Sequence, residues 1–394
     1  MTAIKSKRIE SIDILRGLVM IIMALDHTRD YFHYGAFFSD PTDLETTTPF
    51  LFFTRFITHY CAPVFVFLAG TSAFLYGRNK TKPELFKFLF TRGLWLIVLE
   101  VVVNNFFWWF DISYSFIVLQ VIWAIGISMI ALSLLQFLQR KVLLVVGFVI
   151  LFGHNILDSI VLKGDSLAAI LWYILHQGGQ LATGPNSVIG AYYPVLPWIG
   201  IIILGFCLGT LYDKSFKSRT RQKWLIILGF GAVILFFIVR GLNVYGDLSP
   251  WSYQSTTTKT IMSFFKVTKY PPSLAYSLIT LGPALLFLFA IENIKNKITD
   301  FLLVFGRVPL FYYFLHILVI HLLAVLGLIM LNGNWRDMIL TANTFKNATL
   351  INYGYSIAIV YMVWCFVIAL LYYPCKRYML YKANNKNKWW LSYL

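Results

Sequence analysis

Residues 8–34 read RIESIDILRGLVMIIMALDHTRDYFHY, and this stretch decides the fold. A basic flank precedes an apolar run long enough to cross a bilayer as a helix, which needs about 20 residues. The run nevertheless carries Asp13 and Arg16 at one end and Asp26, His27, Arg29 and Asp30 at the other. Ionisable groups at membrane depth are costly, so they face a bundle interior or a water-filled cavity rather than lipid. Arg16 and His27 are separated by about three helical turns, which puts both on one face roughly 16 Å apart along the axis. Asp13, Arg16, Met20, Ala24, His27 and Tyr31 form one stripe at i, i+3, i+4 spacing. Such a stripe suits a helix lining a channel for a long, phosphate-ended ligand.

Composition extends this reading to the whole chain. The 394 residues are 59% hydrophobic and 13% charged, about half the charge content of a soluble domain. The chain is therefore expected to be an all-α, polytopic membrane protein, with residues 1–394 as a single membrane domain. No small-residue cleavage site follows the first apolar run, so helix one is read as retained. Cys61, Cys207, Cys365 and Cys375 are scattered without metal or disulfide spacing, and no metal is expected. The net charge of +16 does not point to nucleic acid, because the basic residues cluster in alternate loops.

Ten apolar runs are long enough to span, at about 12–33, 50–76, 88–107, 114–136, 142–162, 195–212, 224–243, 273–292, 307–331 and 354–373. With a cytoplasmic N-terminus, the inner segments hold 24 of the 33 Lys and Arg, from Lys5, Lys7 and Arg8 to Lys386 and Lys388. The positive-inside bias then places both termini in the cytoplasm. Residues 166–179, SLAAILWYILHQGG, form a helical apolar pattern too short to span and read as a re-entrant or interfacial helix. Pro63, Pro283 and Pro309 are expected to kink helices. Gly70, Gly205 and Gly209 are expected to allow close helix approach.

Four stretches carry a resemblance. They are SIDILRGLVMIIMALDH on helix one, YYPVLPWIGIIILGFCLGTLYD at 192–213, KYPPSLAYSLITLGPALL at 269–286 and FGRVPLFYYFLHILVIH at 305–321. Together they resemble the bacterial relatives of heparan-α-glucosaminide N-acetyltransferase, a family related to the broader acyltransferase 3 group, over nearly the whole chain. The resemblance implies a transmembrane acetyltransferase that takes acetyl-CoA from the cytoplasm and passes its acetyl group to a sugar or glycan acceptor on the other side. It implies a multi-pass protein of a bacterial cytoplasmic membrane, in contact with lipid. A homo-oligomer is compatible with the sequence. A transporter or flippase of a polar or lipid-linked substrate is the competing reading, though no repeat halves are visible.

The candidate residues follow from both lines. A histidine can act as base or nucleophile near neutral pH, which makes His27 the catalytic candidate. Asp30, one turn on, is expected to orient it. The animal enzyme carries an asparagine at the place of His27 and its histidine a little beyond, so His33 is the second candidate. Arg16 has two readings, a bidentate contact to a CoA phosphate or a snorkelling arginine paired with Asp13. Arg92 is a donor-site candidate that positive-inside placement alone would also explain. His316 is a candidate pocket residue, while His321 is expected to bond a neighbouring helix. Glu100, in an apolar helix, has Arg55, His59 and His27 as possible partners. His154 and Asp158, at i, i+4, are read as a structural pair. Trp251 and Tyr253 are open to stacking on a sugar ring.

Overall fold

A computed structural model describes residues 9–385 and 387–392. Lys5, Lys7, Arg8 and Lys386, which contributed to the expected topology, lie outside the described residues. The chain opens with α1 (Glu10–Phe32), and most of its 23 residues are buried. It is followed by α2 (Pro49–Thr58), α3 (Cys61–Gly77) and α4 (Lys82–Val98). A π-helical turn at Leu99–Asn104 joins α4 to α5 (Asn105–Trp109). Strand β1 (Phe116–Leu119), α6 (Val121–Leu135), α7 (Arg140–Gly153) and α8 (Leu167–Trp172) come next. Strands β2 (Gly179–Gly184) and β3 (Ser187–Ala191) lead into α9 (Val195–Leu208) and α10 (Ser218–Leu242). The rest is helical: α11 (Thr257–Phe265), α12 (Leu274–Ile291), α13 (Lys297–Arg307), α14 (Pro309–Met330), α15 (Ala342–Lys346) and α16 (Ile357–Asn384).

Helices occupy all ten expected apolar runs. Among the described residues, seven helical stretches are long and apolar enough to cross a membrane. The three others depart for visible reasons. Helix α1 and the α4–α5 rod are interrupted by ionisable groups, and α6 has only 15 residues. Residues 116–119, expected as the start of that sixth helix, are a strand instead. A small sheet of order β1-β3-β2 forms, with β1 parallel and β2 antiparallel to β3. Leu119 lies opposite Ala191, and Gly179 faces Ala191 from the other side. The expected re-entrant segment is helical over Leu167–Gln177 and then turns into β2. A glycine at the junction permits this, because Gly178 sits at φ +74°, which side chains with a Cβ rarely adopt.

Burial separates a core from a lipid-facing ring. Helices α9 and α12 are largely buried, whereas α10 and α16 bury little and expose Phe230, Ile234, Phe237, Met362 and Phe366. An apolar outer face is the expected complement of a bilayer. Inside, helices approach closely where glycines meet. A Cβ at Gly70 would stand 2.0 Å from the carbonyl oxygen of Ile202, and one at Gly205 would stand 2.0 Å from that of Phe67. Gly17 and Gly306 make the same kind of crossing between α1 and α13. The prolines act as boundaries more than as kinks. Pro309 is the first residue of α14 and Pro63 lies in the first turn of α3, while Pro283 is interior to α12.

One end of the bundle is knitted by basic residues. Lys295 and Arg307 reach Glu10, Arg221 pairs with Glu292, and Lys82 bonds the Phe137 carbonyl. At the other, far end, His33 and Tyr355 form a short backbone bridge, and Leu340 donates to the Trp109 carbonyl. The sheet and the segment 332–356 lie at that end.

Candidate active site

Helix α1 brings His27 against α14, where His27 Nδ1 is 2.8 Å from His316 Nε2. His316 Nδ1 is 2.8 Å from the Tyr312 carbonyl oxygen. A carbonyl only accepts, so His316 Nδ1 carries the proton, and in a neutral ring its Nε2 must then be the acceptor. His27 Nδ1 therefore donates, and the lone pair of His27 lies on Nε2. Among the described residues no group hydrogen-bonds to that nitrogen. The His27 ring meets Trp108 edge-on at 4.8 Å and Tyr313 at 6.0 Å between centroids.

Two cavities lie toward opposite ends of the bundle; neither His27 nor His316, the expected pocket residue, lines either of them, and each reaches the pair through one aromatic side chain. The first, about 350 Å³, opens at the basic end. Arg16, Arg92, Arg307 and Lys382 line it, and deeper walls are apolar, with Met20, Met23, Leu96, Ile122, Met129 and Tyr313. No carboxylate is among its lining residues. The second, about 690 Å³, lies at the far end and is aromatic and polar, with Asp30, Tyr31, Trp108, Trp109, Gln120, Gln180, Tyr192, Tyr193, Tyr270 and Lys346. Tyr313 borders the first cavity and Trp108 the second, and His27 touches both side chains. A cationic mouth with an apolar throat suits a ligand with phosphates at one end and an aliphatic arm. Aromatic rings with polar tips suit a hydroxyl-rich ligand.

The other expected residues fall into three groups. Arg16 Nη1 bonds Asp13 Oδ1 at 2.8 Å and the Gly306 carbonyl at 3.3 Å, and Nη2 bonds Ser72 Oγ at 2.8 Å. Arg16 thus has the partner of its second reading and the cavity position of its first. Asp13 anchors it and does not line the cavity. Arg92 lies on the cavity wall near Phe88.

Asp30 does not orient His27. It accepts from Arg29 Nη2 at 2.5 Å and faces the far cavity, while His316 takes the orienting position. Arg29, adjacent on the chain, outcompetes the His27 ring for the carboxylate with a full charge. His33 lies beyond the end of α1, in the bridge to Tyr355, and lines neither cavity. Burial and the neighbouring Arg29 hold its imidazole below the usual range.

Beside His27, Asp26 accepts from Arg29 at 2.9 Å, from Thr58 Oγ1 at 2.8 Å and from Arg55. Asp26, Arg29, Arg55 and Asp30 are two acids and two bases, so their formal charges cancel. A buried charge is tolerated only when so paired. Sequence reasoning missed this role of Asp26 and Arg55, although an arginine inside an apolar helix was the signal for a partner. Glu100 pairs with none of its expected partners. Its carboxylate accepts from Asn104 Nδ2 at 2.8 Å and from the backbone N–H groups of Gln120 and Trp123, at the start of α6. A carboxyl group there takes up N–H groups that the first turn of a helix leaves without partners. His321 does bond neighbouring elements, at 2.9 Å from the carbonyls of both Phe107 and Met338. His154 does not pair with Asp158, which instead contacts His176 and Asn155. Trp251 and Tyr253 lie outside the far cavity, with Trp251 Nε1 donating to the Arg240 carbonyl.

The catalytic family of heparan-alpha-glucosaminide N-acetyltransferase matches residues 8–245, more than half of the chain. The chain belongs to this family. The match takes in α1 with Arg16 and His27 and runs through α10; His316 and the resembling blocks at 269–286 and 305–321 lie beyond it. No curated protein matches the chain. Membership in the heparan-alpha-glucosaminide N-acetyltransferase family, with the apolar helices, makes this an integral membrane acetyltransferase, and the family implies acetyl-CoA as donor and a sugar as acceptor.

Proposed function

We propose that the chain carries an acetyl group from cytoplasmic acetyl-CoA, held in the basic-end cavity, to a sugar acceptor held in the far cavity, across His27. The observation that supports this reading is the junction: Tyr313 of one cavity and Trp108 of another, of opposite chemistry, both pack on His27, whose pairing with His316 leaves a lone pair on His27 Nε2. The whole chain acts as one unit, because α1 supplies His27 and α14 supplies His316. The basic loops mark the cytoplasmic side, with both termini there and ten spans in a bacterial cytoplasmic membrane.

Arg16, Arg92, Arg307 and Lys382 would meet the donor phosphates. The apolar throat would take the pantetheine arm and bring the thioester to His27. Two routes use the same lone pair. In the direct route, Nε2 removes a proton from the acceptor amine as its nitrogen attacks the thioester carbonyl; the C–S bond breaks, and CoA leaves as a thiolate that takes up the proton. In the two-step route, Nε2 itself attacks the carbonyl and CoA leaves as a thiolate; the acceptor nitrogen then displaces the imidazole from the acetyl carbon, and the freed Nε2 takes the proton the amine loses and passes it on to the thiolate. In both, positive charge grows on the His27 ring, and the Nδ1–H bond to His316 strengthens to stabilise it. Asp30, on the far wall, would accept a hydrogen bond from the acceptor. An amine acceptor gives N-acetylation and a hydroxyl O-acetylation.

Sealed vesicles of known orientation test the reading, with labelled acetyl-CoA on one side and a membrane-impermeant amino sugar on the other. Acetylated sugar is expected only with the donor at the cytoplasmic face and the sugar opposite. A requirement for both on one face would refute transfer through the membrane. Label that crosses without forming a covalent product would favour the transporter.

A further inference from the structure

A second cluster at the far end has no part in the transfer described above. His154 and Asp158 lie on the short 3₁₀ turn His154–Ser159 that ends α7, and His176 lies on the π-helical turn Tyr173–Gln177 that follows α8. Each offers one ligand atom, and these atoms lie within 4.8 Å of one another. His176 Nε2 stands 3.0 Å from Asp158 Oδ1. None of the three lines either cavity at the histidine pair.

The hydrogen bonding around the cluster is incomplete in a particular way. His154 and His176 are each 2% exposed. Among the described residues, neither ring nitrogen of His154 has a partner, and His176 Nδ1 has none. A buried imidazole with no partner on either nitrogen is costly and rarely kept. The carboxylate between the rings is, by contrast, held in place. Asn155 Nδ2 donates to Asp158 Oδ2 at 2.8 Å, and Asn155 Oδ1 accepts from the Leu274 N–H at 3.0 Å. Support of a ligand carboxylate by a fixed amide is the usual outer layer of a metal site.

We propose that His154, Asp158 and His176 bind one divalent transition-metal ion, with zinc as the best-fitting member. Two imidazoles and a carboxylate are a donor set for zinc and neighbouring first-row metals, and a poor one for magnesium or calcium, which prefer all-oxygen shells. Tetrahedral bonds of about 2.0–2.1 Å place ligand atoms about 3.3 Å apart, within the spacing already present. The ion would displace the His176–Asp158 hydrogen bond, take a lone pair from His154 and leave a fourth position for water.

The site's place in the fold states its purpose. It joins the end of α7 to the segment that runs through Gly178 into β2 and β3, and Gln180 and Val188 of those strands line the far cavity. Metal binding would clip this wall to the bundle and leave the basic-end cavity untouched. The sequence did not show it, because His176 is far from the other two and no spacing motif links them.

The test uses the full chain purified in detergent, stripped with a chelator and re-equilibrated with zinc, then assayed for bound metal and for thermal unfolding. One equivalent of zinc is expected, with a rise in Tm that magnesium does not reproduce, and cobalt should give the visible bands of a low-coordinate N,O site. His154→Ala and Asp158→Asn should each abolish the equivalent, whereas His33→Ala should retain it. Asn155→Ala should weaken zinc by about 10- to 100-fold, the usual effect of removing an outer-layer partner. No zinc uptake by the folded wild-type chain, or an equivalent that persists in both ligand variants, would overturn the proposal and leave water as the partner of His154. Should His154→Ala fail to fold, Asp158→Asn, which keeps the size of the side chain, decides alone.

Discussion

Replacing His316 with phenylalanine removes the acceptor of the His27 Nδ1 proton while keeping an aromatic ring of similar size beside it. The lost contact is a 2.8 Å hydrogen bond between two buried rings, His27 at 9% exposure and His316 at 0%. A buried donor left unsatisfied costs about 1–3 kcal/mol. Part of that loss appears as stability, and part appears in the transition state, where the ring is becoming positive. If the full amount falls on the chemical step, kcat drops roughly 5- to 150-fold at 1.36 kcal/mol per factor of ten. The unpaired ring also gains access to the tautomer with its proton on Nε2, which removes the base. His316→Gln offers a side-chain carbonyl to the same proton and should recover part of the rate. The assay is steady-state acetyl transfer in detergent or proteoliposomes, with donor and acceptor varied separately and Tm recorded for each variant. The expected pattern is a fall in kcat with little change in donor KM, and glutamine ahead of phenylalanine. A folded phenylalanine variant with wild-type kcat would refute the tautomer argument, and so would equal losses in both variants.

His27→Ala should abolish transfer while acetyl-CoA still binds and the protein still inserts; turnover at the wild-type rate would make His27 structural and bring His33 forward. Arg16→Ala should weaken donor binding by about 1.5–3 kcal/mol, or roughly 10- to 150-fold in Kd, with acceptor binding unchanged, as read by calorimetric titration. Gly306→Ala should lower Tm strongly, because the new Cβ would stand 1.8 Å from the Asp13 carbonyl oxygen and force α13 away from α1, at a cost of about 1–3 kcal/mol or more. Asp111 orders the loop before β1, accepting from Ser113 and Ser115 through both backbone and hydroxyl groups. Its burial works to raise the carboxyl, but these hydrogen bonds outweigh it and hold the group below its ordinary value. A lowered folded-state pKa means that the stabilisation is full above the unfolded value of about 3.9 and is lost only as pH falls through the folded one. Asp111→Asn should therefore cost about 1–3 kcal/mol at pH 7 in thermal unfolding and lose that difference in strong acid.

The sequence alone determined the environment and the period of this chain. Apolar runs of about 20 residues admit few structures other than spanning helices, because every backbone group must find its partner within the segment. The ionisable stripe on residues 13–31 showed that α1 faces inward, since five charged groups and a histidine cannot face lipid. Gly70 and Gly205 were legible as contact points because only a missing Cβ lets helices touch backbone to backbone. Partners were not legible. Helical spacing made Asp30 the neighbour of His27, yet the nearest acceptor came from His316, almost 300 positions away, because α14 crosses α1 there. Arg55 reached Asp26, and Glu100 turned to the start of α6, for the same reason: a buried charge pairs with whatever the packing delivers, whatever its distance along the chain. The strands at 116–119 and 179–191 were hidden too, since a short apolar run next to a helix does not reveal its own period. Distance along one helix is a property of the sequence, whereas distance between helices is set only once their faces have packed.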